Sequence, residues 1–85
     1  MPKSVFTGAH KQLVDVLTEA RRASGLKQAE LAARLGKHQS YISIIEGAQR
    51  RVDVLEFCAL ARALNRDPVD LFAEVVSRLP QKLEV

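Results

Sequence analysis

GKHQSYISIIEG, residues 36–47, is the stretch whose reading decides the fold of this chain. Wound as an α-helix at about 100° per residue, it places Ile42 and Ile45 on one face. Ser40, Ser43 and Gly47 collect on the opposite face, with Gln39 at its edge. Ile44 falls more than a quarter-turn from the apolar stripe, among the hydroxyls. Such a helix has one seam for its own core and a second, polar face that needs another explanation.

Working outward, the flanking sequence breaks into further short helices. Upstream, Thr7 is a suitable N-cap, and Leu13, Val16, Leu17, Ala20 and Ser24 recur at helical spacing until Gly25 supplies a left-handed stop. Leu26 can fold back on that last turn. A second helix is predicted from Gln28 to Leu35, with Leu31, Ala32 and Leu35 inward and Gly36 as terminator. Downstream, Asp53 and Glu56 form a capping box that opens a fourth helix running through Leu64, with Val54, Phe57, Leu60, Ala61 and Leu64 inward. Asp67 followed by Pro68 is an N-cap with proline at the first helical position. The fifth helix buries Leu71, Phe72, Val75 and Val76, and Pro80 breaks it. No stretch alternates long enough for a strand. The expected fold class is all-α, a compact five-helix domain with its core over about residues 7–79, and with loose ends before Val5 and after Pro80.

The bulk properties agree. The chain has 85 residues, enough for one small domain, and its 47% hydrophobic and 27% charged residues are an ordinary globular mixture. No apolar run is long enough for a transmembrane helix or a signal peptide. The lone Cys58 forms no internal disulfide, in keeping with a reducing cytoplasm, and is expected as a buried or interface apolar residue. Net charge is only +3, but it is unevenly spread. Residues 21–51 hold seven basic side chains (Arg21, Arg22, Lys27, Arg34, Lys37, Arg50, Arg51) against Glu30 and Glu46, whereas the remainder is slightly acidic. A basic middle points to a polyanion, or else to a solvated helix surface. His38 is far in sequence from His10 and Cys58, so no metal or other cofactor is expected. No nucleophile–base set, Gly-rich phosphate loop or carboxylate pair stands out, so an enzyme is not expected.

The second and third helices, joined by a tight turn at Gly36, have Leu31, Leu35, Ile42 and Ile45 to pack them together and Ala32 to let them cross closely. This is helix-turn-helix geometry, with the polar face of the third helix outward. A projecting helix fits the major groove of B-DNA, about 12 Å wide. GLKQAELAARLGKHQSYISIIEGAQRR, followed by RALNRDPVDLF, resembles the lambda-repressor-like, Cro/CI-type or XRE-type DNA-binding family over roughly residues 9–76. Some positions depart from the family pattern. Lys27 and His38 stand where Ser or Thr often caps, Ile44 replaces a basic or polar residue, and Ala48 stands where Gly is expected.

The resemblance implies base reading by Gln39, Ser40, Ser43 and Ile44 on double-stranded DNA. Glutamine can bond adenine N6 and N7 together, serine suits several base edges, and isoleucine can meet a thymine methyl. Gln28 is implied at a phosphate, bracing Gln39, with Lys37, His38, Tyr41, Arg50 and Arg51 as further phosphate contacts. Arg21 and Glu46 are implied to form a bracing ion pair. The implied function is a transcriptional regulator, a repressor, acting in the cytoplasm as a homodimer on an inverted-repeat operator. The expected dimer surface is Leu71, Phe72, Val75, Val76, Leu79 and Leu83, with Val85 adding apolar area. Within the same class stand an antitoxin, with a toxin as protein partner, and a restriction–modification controller. Outside it stands a protein-interaction module that has lost DNA binding, which the polar outer face argues against.

Overall fold

Helix boundaries follow from local chemistry. The computed structural model describes residues 8–83, and in it α1 (Gly8–Ala23), α2 (Gln28–Arg34), α3 (Gln39–Glu46), α4 (Val54–Ala63) and α5 (Pro68–Arg78) succeed one another. Thr7, Val5 and Val85 lie outside the described residues, so the expectations placed on them do too. At the start of α4, Asp53 Oδ1 accepts from the Glu56 amide at 2.7 Å and Glu56 Oε1 accepts from the Asp53 amide at 3.1 Å, the reciprocal box expected. At α5, Asp67 Oδ1 accepts from Val69 at 2.8 Å, ahead of Pro68 in the first turn. Lys27 offers no acceptor, so only half a box forms at α2: Glu30 Oε1 takes the Lys27 amide at 2.8 Å.

Four consecutive helices close in one way. Gly25, Gly36, Ala48 and Asn65 adopt left-handed conformations, with φ of 74°, 67°, 56° and 57°. Each is followed by a residue whose amide returns to the carbonyl five positions back: Leu26 to Arg21, Lys37 to Ala32, Gln49 to Ile44 and Arg66 to Ala61. These double-bonded Schellman caps leave few orphan carbonyls at the helix ends. The fifth helix ends differently. Leu79 is extended (ψ 144°), as the residue before a proline prefers.

Val16, Leu17 and Ala20 of α1, Leu31 and Ala32 of α2, Ile42 and Ile45 of α3, Phe57, Leu60 and Ala61 of α4, Leu64 just beyond it, and Leu71 and Val75 of α5 form one core. Burying each large side chain contributes about 1.5–3 kcal/mol, which fixes the orientation of α3 despite its short length. Outside this core, Glu19 pairs with Arg78 at 2.8 Å across α1 and α5, and Arg34 Nη1 donates to the Ala63 carbonyl at 2.8 Å, linking α2 to the end of α4.

Three inward assignments fail. Val54, Phe72 and Val76 are 76%, 49% and 51% exposed. The first turn of α4 overhangs the core edge, and α5 is already seated by Leu71 and Val75, so its neighbouring apolar positions face out.

Candidate nucleic-acid interface

α3 presents its second face as the sequence predicts. Ile42 and Ile45 are buried, Gln39 and Ser40 are exposed, Ser43 is half-buried, and Ile44 is 38% exposed. The two hydroxyls are not free rotors. Ser43 Oγ donates to the Ser40 carbonyl at 3.1 Å. His38 takes the N-cap role: its Nδ1 accepts from the Ser40 amide at 3.1 Å, which requires Nδ1 to be unprotonated. The Ser40 hydroxyl, 3.0 Å from the same nitrogen, therefore donates to it. Both serines are left with outward-facing acceptor capacity. His38 was expected at a phosphate; one side of its ring is committed to the cap, and only Nε2 remains to donate.

A continuous polar chain runs behind this face. Arg21 grips Glu46 with two bonds, Nε to Oε2 at 2.7 Å and Nη2 to Oε1 at 2.9 Å, while its Nη1 donates to the Leu26 carbonyl at 2.7 Å. Glu46 Oε1 also accepts from Gln28 Nε2 at 2.9 Å, and Gln28 Oε1 accepts from Gln39 Nε2 at 2.9 Å. The ion pair and the glutamine brace, expected separately, are one assembly. The Arg21 and Glu46 side chains are each 10% exposed, so the pair is not a surface one. The Glu46 hydrogen bond, foremost, raises the Arg21 pKa above its ordinary value, and removal of one partner would leave a buried charge at a cost of about 3–5 kcal/mol.

Tyr41 and Arg50, expected at the DNA backbone, also have partners within the protein. The Tyr41 hydroxyl donates to Glu56 Oε2 at 2.7 Å, and Arg50 binds both Glu56 oxygens, with Nη1 at 3.0 Å from Oε1. The Arg50 guanidinium lies 5.1 Å from the Tyr41 ring centroid, and the Lys37 ammonium 5.4 Å from it. Glu56, read from sequence only as a capping residue, is thus the acceptor that organises the cluster. Its hydrogen bonds from Arg50, foremost, draw its pKa down to about 2. Buried His10 contacts the Arg50 carbonyl through Nε2 at 3.0 Å, and burial, foremost, lowers its pKa. No local sequence signal joins these groups, because the pairs are set by the path of the chain between α3 and α4. Gln28 stays half-buried beside Gln39, while Lys37 and Arg51 are exposed.

The expected dimer surface divides. Leu71 and Val75 are buried in this chain's own core, which removes them from any surface, and Leu79 packs partly against that core. Phe72, Val76 and Leu83 stay exposed. Phe72 meets Phe57 edge to face at 5.6 Å and borders a groove of about 350 Å³ lined also by Val54, Cys58, Pro68 and Val69.

Among the described residues no helix is long and apolar enough to cross a membrane. A model described as a helix-turn-helix domain matches residues 12–74. An XRE-family-like protein from Pseudomonas syringae pv. tomato is 44% identical, with a TM-score of 0.79 over 86% of this chain and 89% of that one. The restriction–modification controller protein C.AhdI from Aeromonas hydrophila is 35% identical, with a TM-score of 0.69 over 76% of this chain and 94% of that one. No curated protein matches.

Proposed function

Since this chain belongs to the XRE-type helix-turn-helix family of DNA-binding regulators, we propose that it is a sequence-specific repressor that binds an inverted-repeat operator as a homodimer in the cytoplasm. The observation that carries this reading is the outer face of α3, where Gln39 is held by Gln28 beside two serines and an exposed isoleucine. A glutamine held by a neighbouring amide needs little ordering before it meets a base edge. Ile44 then tolerates its polar surroundings because bound DNA covers it. Gln28, Lys37 and Arg51 are assigned to phosphates; Arg50 and Tyr41 support the loop that carries Arg51. A second reading, as a restriction–modification controller, is favoured by the likeness to C.AhdI and uses the same interface.

Selection of bound duplexes from a random pool tests the reading. One inverted-repeat motif is expected, and if a dimer neutralises roughly six phosphates, log K should fall against log salt with a slope of about −5. Gln39→Ala or Ser43→Ala should cost about 1–3 kcal/mol and relax one or two base pairs, while Arg51→Ala weakens all sequences alike. Binding that is insensitive to salt, or a base preference that moves with Arg51 and not with Gln39, overturns the docking.

A further inference from the structure

We infer that Glu46, which points away from the outer face of α3, sets the base preference of Gln39 by fixing which way round its amide stands. The inference rests on α3 being the base-reading helix. A carboxylate paired with a guanidinium has only acceptors to offer. Glu46 Oε1, already held by Arg21, therefore receives the NH₂ side of Gln28 at 2.9 Å. That choice turns the Gln28 carbonyl toward Gln39, and the Gln39 NH₂ group must donate to it at 2.9 Å. In this geometry the Gln28 carbonyl, and not its second N–H, faces Gln39, so a charge one side chain removed sets the polarity of an exposed amide.

The consequence is chemical. Gln39 is left with its carbonyl Oε1 and one N–H for an outside partner. One acceptor beside one donor matches the major-groove edge of adenine, which offers the N6 amino group and the N7 acceptor. Were the chain reversed, the Gln39 carbonyl would face Gln28 and both N–H bonds would face out. Two donors match guanine, whose O6 and N7 both accept. The relay thus selects adenine over guanine at the base pair that Gln39 meets, and Glu46 and Gln28 are positioning residues for that choice.

Two variants separate this role from stability. Glu46→Gln replaces an obligate acceptor by an amide that can present either side to Gln28, but it also breaks the pair with Arg21. Gln28→Met interrupts the relay and leaves the Arg21–Glu46 pair whole. The readout is the affinity ratio for duplexes carrying A·T or G·C at the base pair whose preference Gln39→Ala abolishes, with thermal melting and the salt slope measured on the same proteins. The intact protein is expected to favour A·T by roughly tenfold, and both variants to bring that ratio below about threefold with the rest of the motif unchanged. A uniform loss of affinity in Gln28→Met with the tenfold ratio kept would reduce Gln28 to a phosphate contact and overturn the relay while leaving the DNA-binding reading intact. A preference for G·C in the intact protein would overturn the orientation. If Gln39→Ala relaxes no base pair at all, the docking itself fails.

Discussion

Ala48 is the residue where the chain departs most plainly from what its backbone asks. It closes α3 at a φ of 56°, a region that costs an L-residue roughly 1–2 kcal/mol and costs glycine nothing. Its neighbour Gly47 has an ordinary φ of −81°, and a Cβ there would make tight contacts, 3.0 Å from Gln49 Nε2 and 3.1 Å from the Ser43 carbonyl oxygen. Ala48→Gly should therefore stabilise the fold by about 0.5–1 kcal/mol after allowing for the freer unfolded chain, measured as a shift in the denaturant midpoint. No stabilisation would mean that the left-handed turn is not held in solution. Gly25 and Gly36 announce their turns in the sequence; an alanine does not, and the end of α3 is legible only because the family pattern sets a glycine there.

At the scale of the helix, the N-caps were the most legible feature of this chain, because Asp53 with Glu56 and Asp67 with Pro68 act over three residues or fewer. The Glu56 cluster was not, because Tyr41 and Arg50 reach it across a loop and their charges and hydroxyls suit DNA equally well. For the same reason Val54 was misread: its spacing suits an inward face, but helical periodicity says nothing about where the core ends. The cluster has a signature in acid. A carboxyl whose pKa is held near 2 stabilises the fold above the ordinary 4.5, and that contribution is lost as pH falls between the two values. Solvent reaches both side chains, so the effect is about 1 kcal/mol and far below what the full shift would give. Urea titrations of the intact protein should show this decline from pH 4.5 downward, and Glu56→Gln should be less stable at pH 6 and flatter below it. An equally steep decline in the variant would place the acid sensitivity elsewhere.

For the whole molecule, the described chain measures 34 × 33 × 21 Å, close to the spacing of about 34 Å between half-sites one turn of B-DNA apart. The proposed homodimer requires two copies side by side whose α3 helices enter successive major grooves, and this width is compatible with that spacing. The apolar surface available for that pairing is the exposed row Val54, Val69, Phe72 and Val76, not the buried Leu71 and Val75. If the proposed homodimer pairs through this row, the intact protein should sediment as a dimer at tens of micromolar, and Phe72→Glu, at a half-exposed position, should fold yet sediment as a monomer and lose at least tenfold in operator affinity. Dimerisation unchanged by this substitution would move the interface off α5. Where the boundary of the core fell along α5 was not legible, because a two-residue-wide apolar stripe is the same in sequence whether its outer half meets the core, water or a second chain.

The turn between α2 and α3 has no slack. From Leu35 to His38 the amides of Leu35, Gly36 and Lys37 return to α2, and the His38 ring closes on α3. Evolution can therefore vary letters here but hardly length. One inserted codon between Gly36 and Gln39 must either open a cap or swing the outer face by about 100°. In the second case Gln39 parts from Gln28 while Ile42 and Ile45 turn out of the core, so fold and reading fail together.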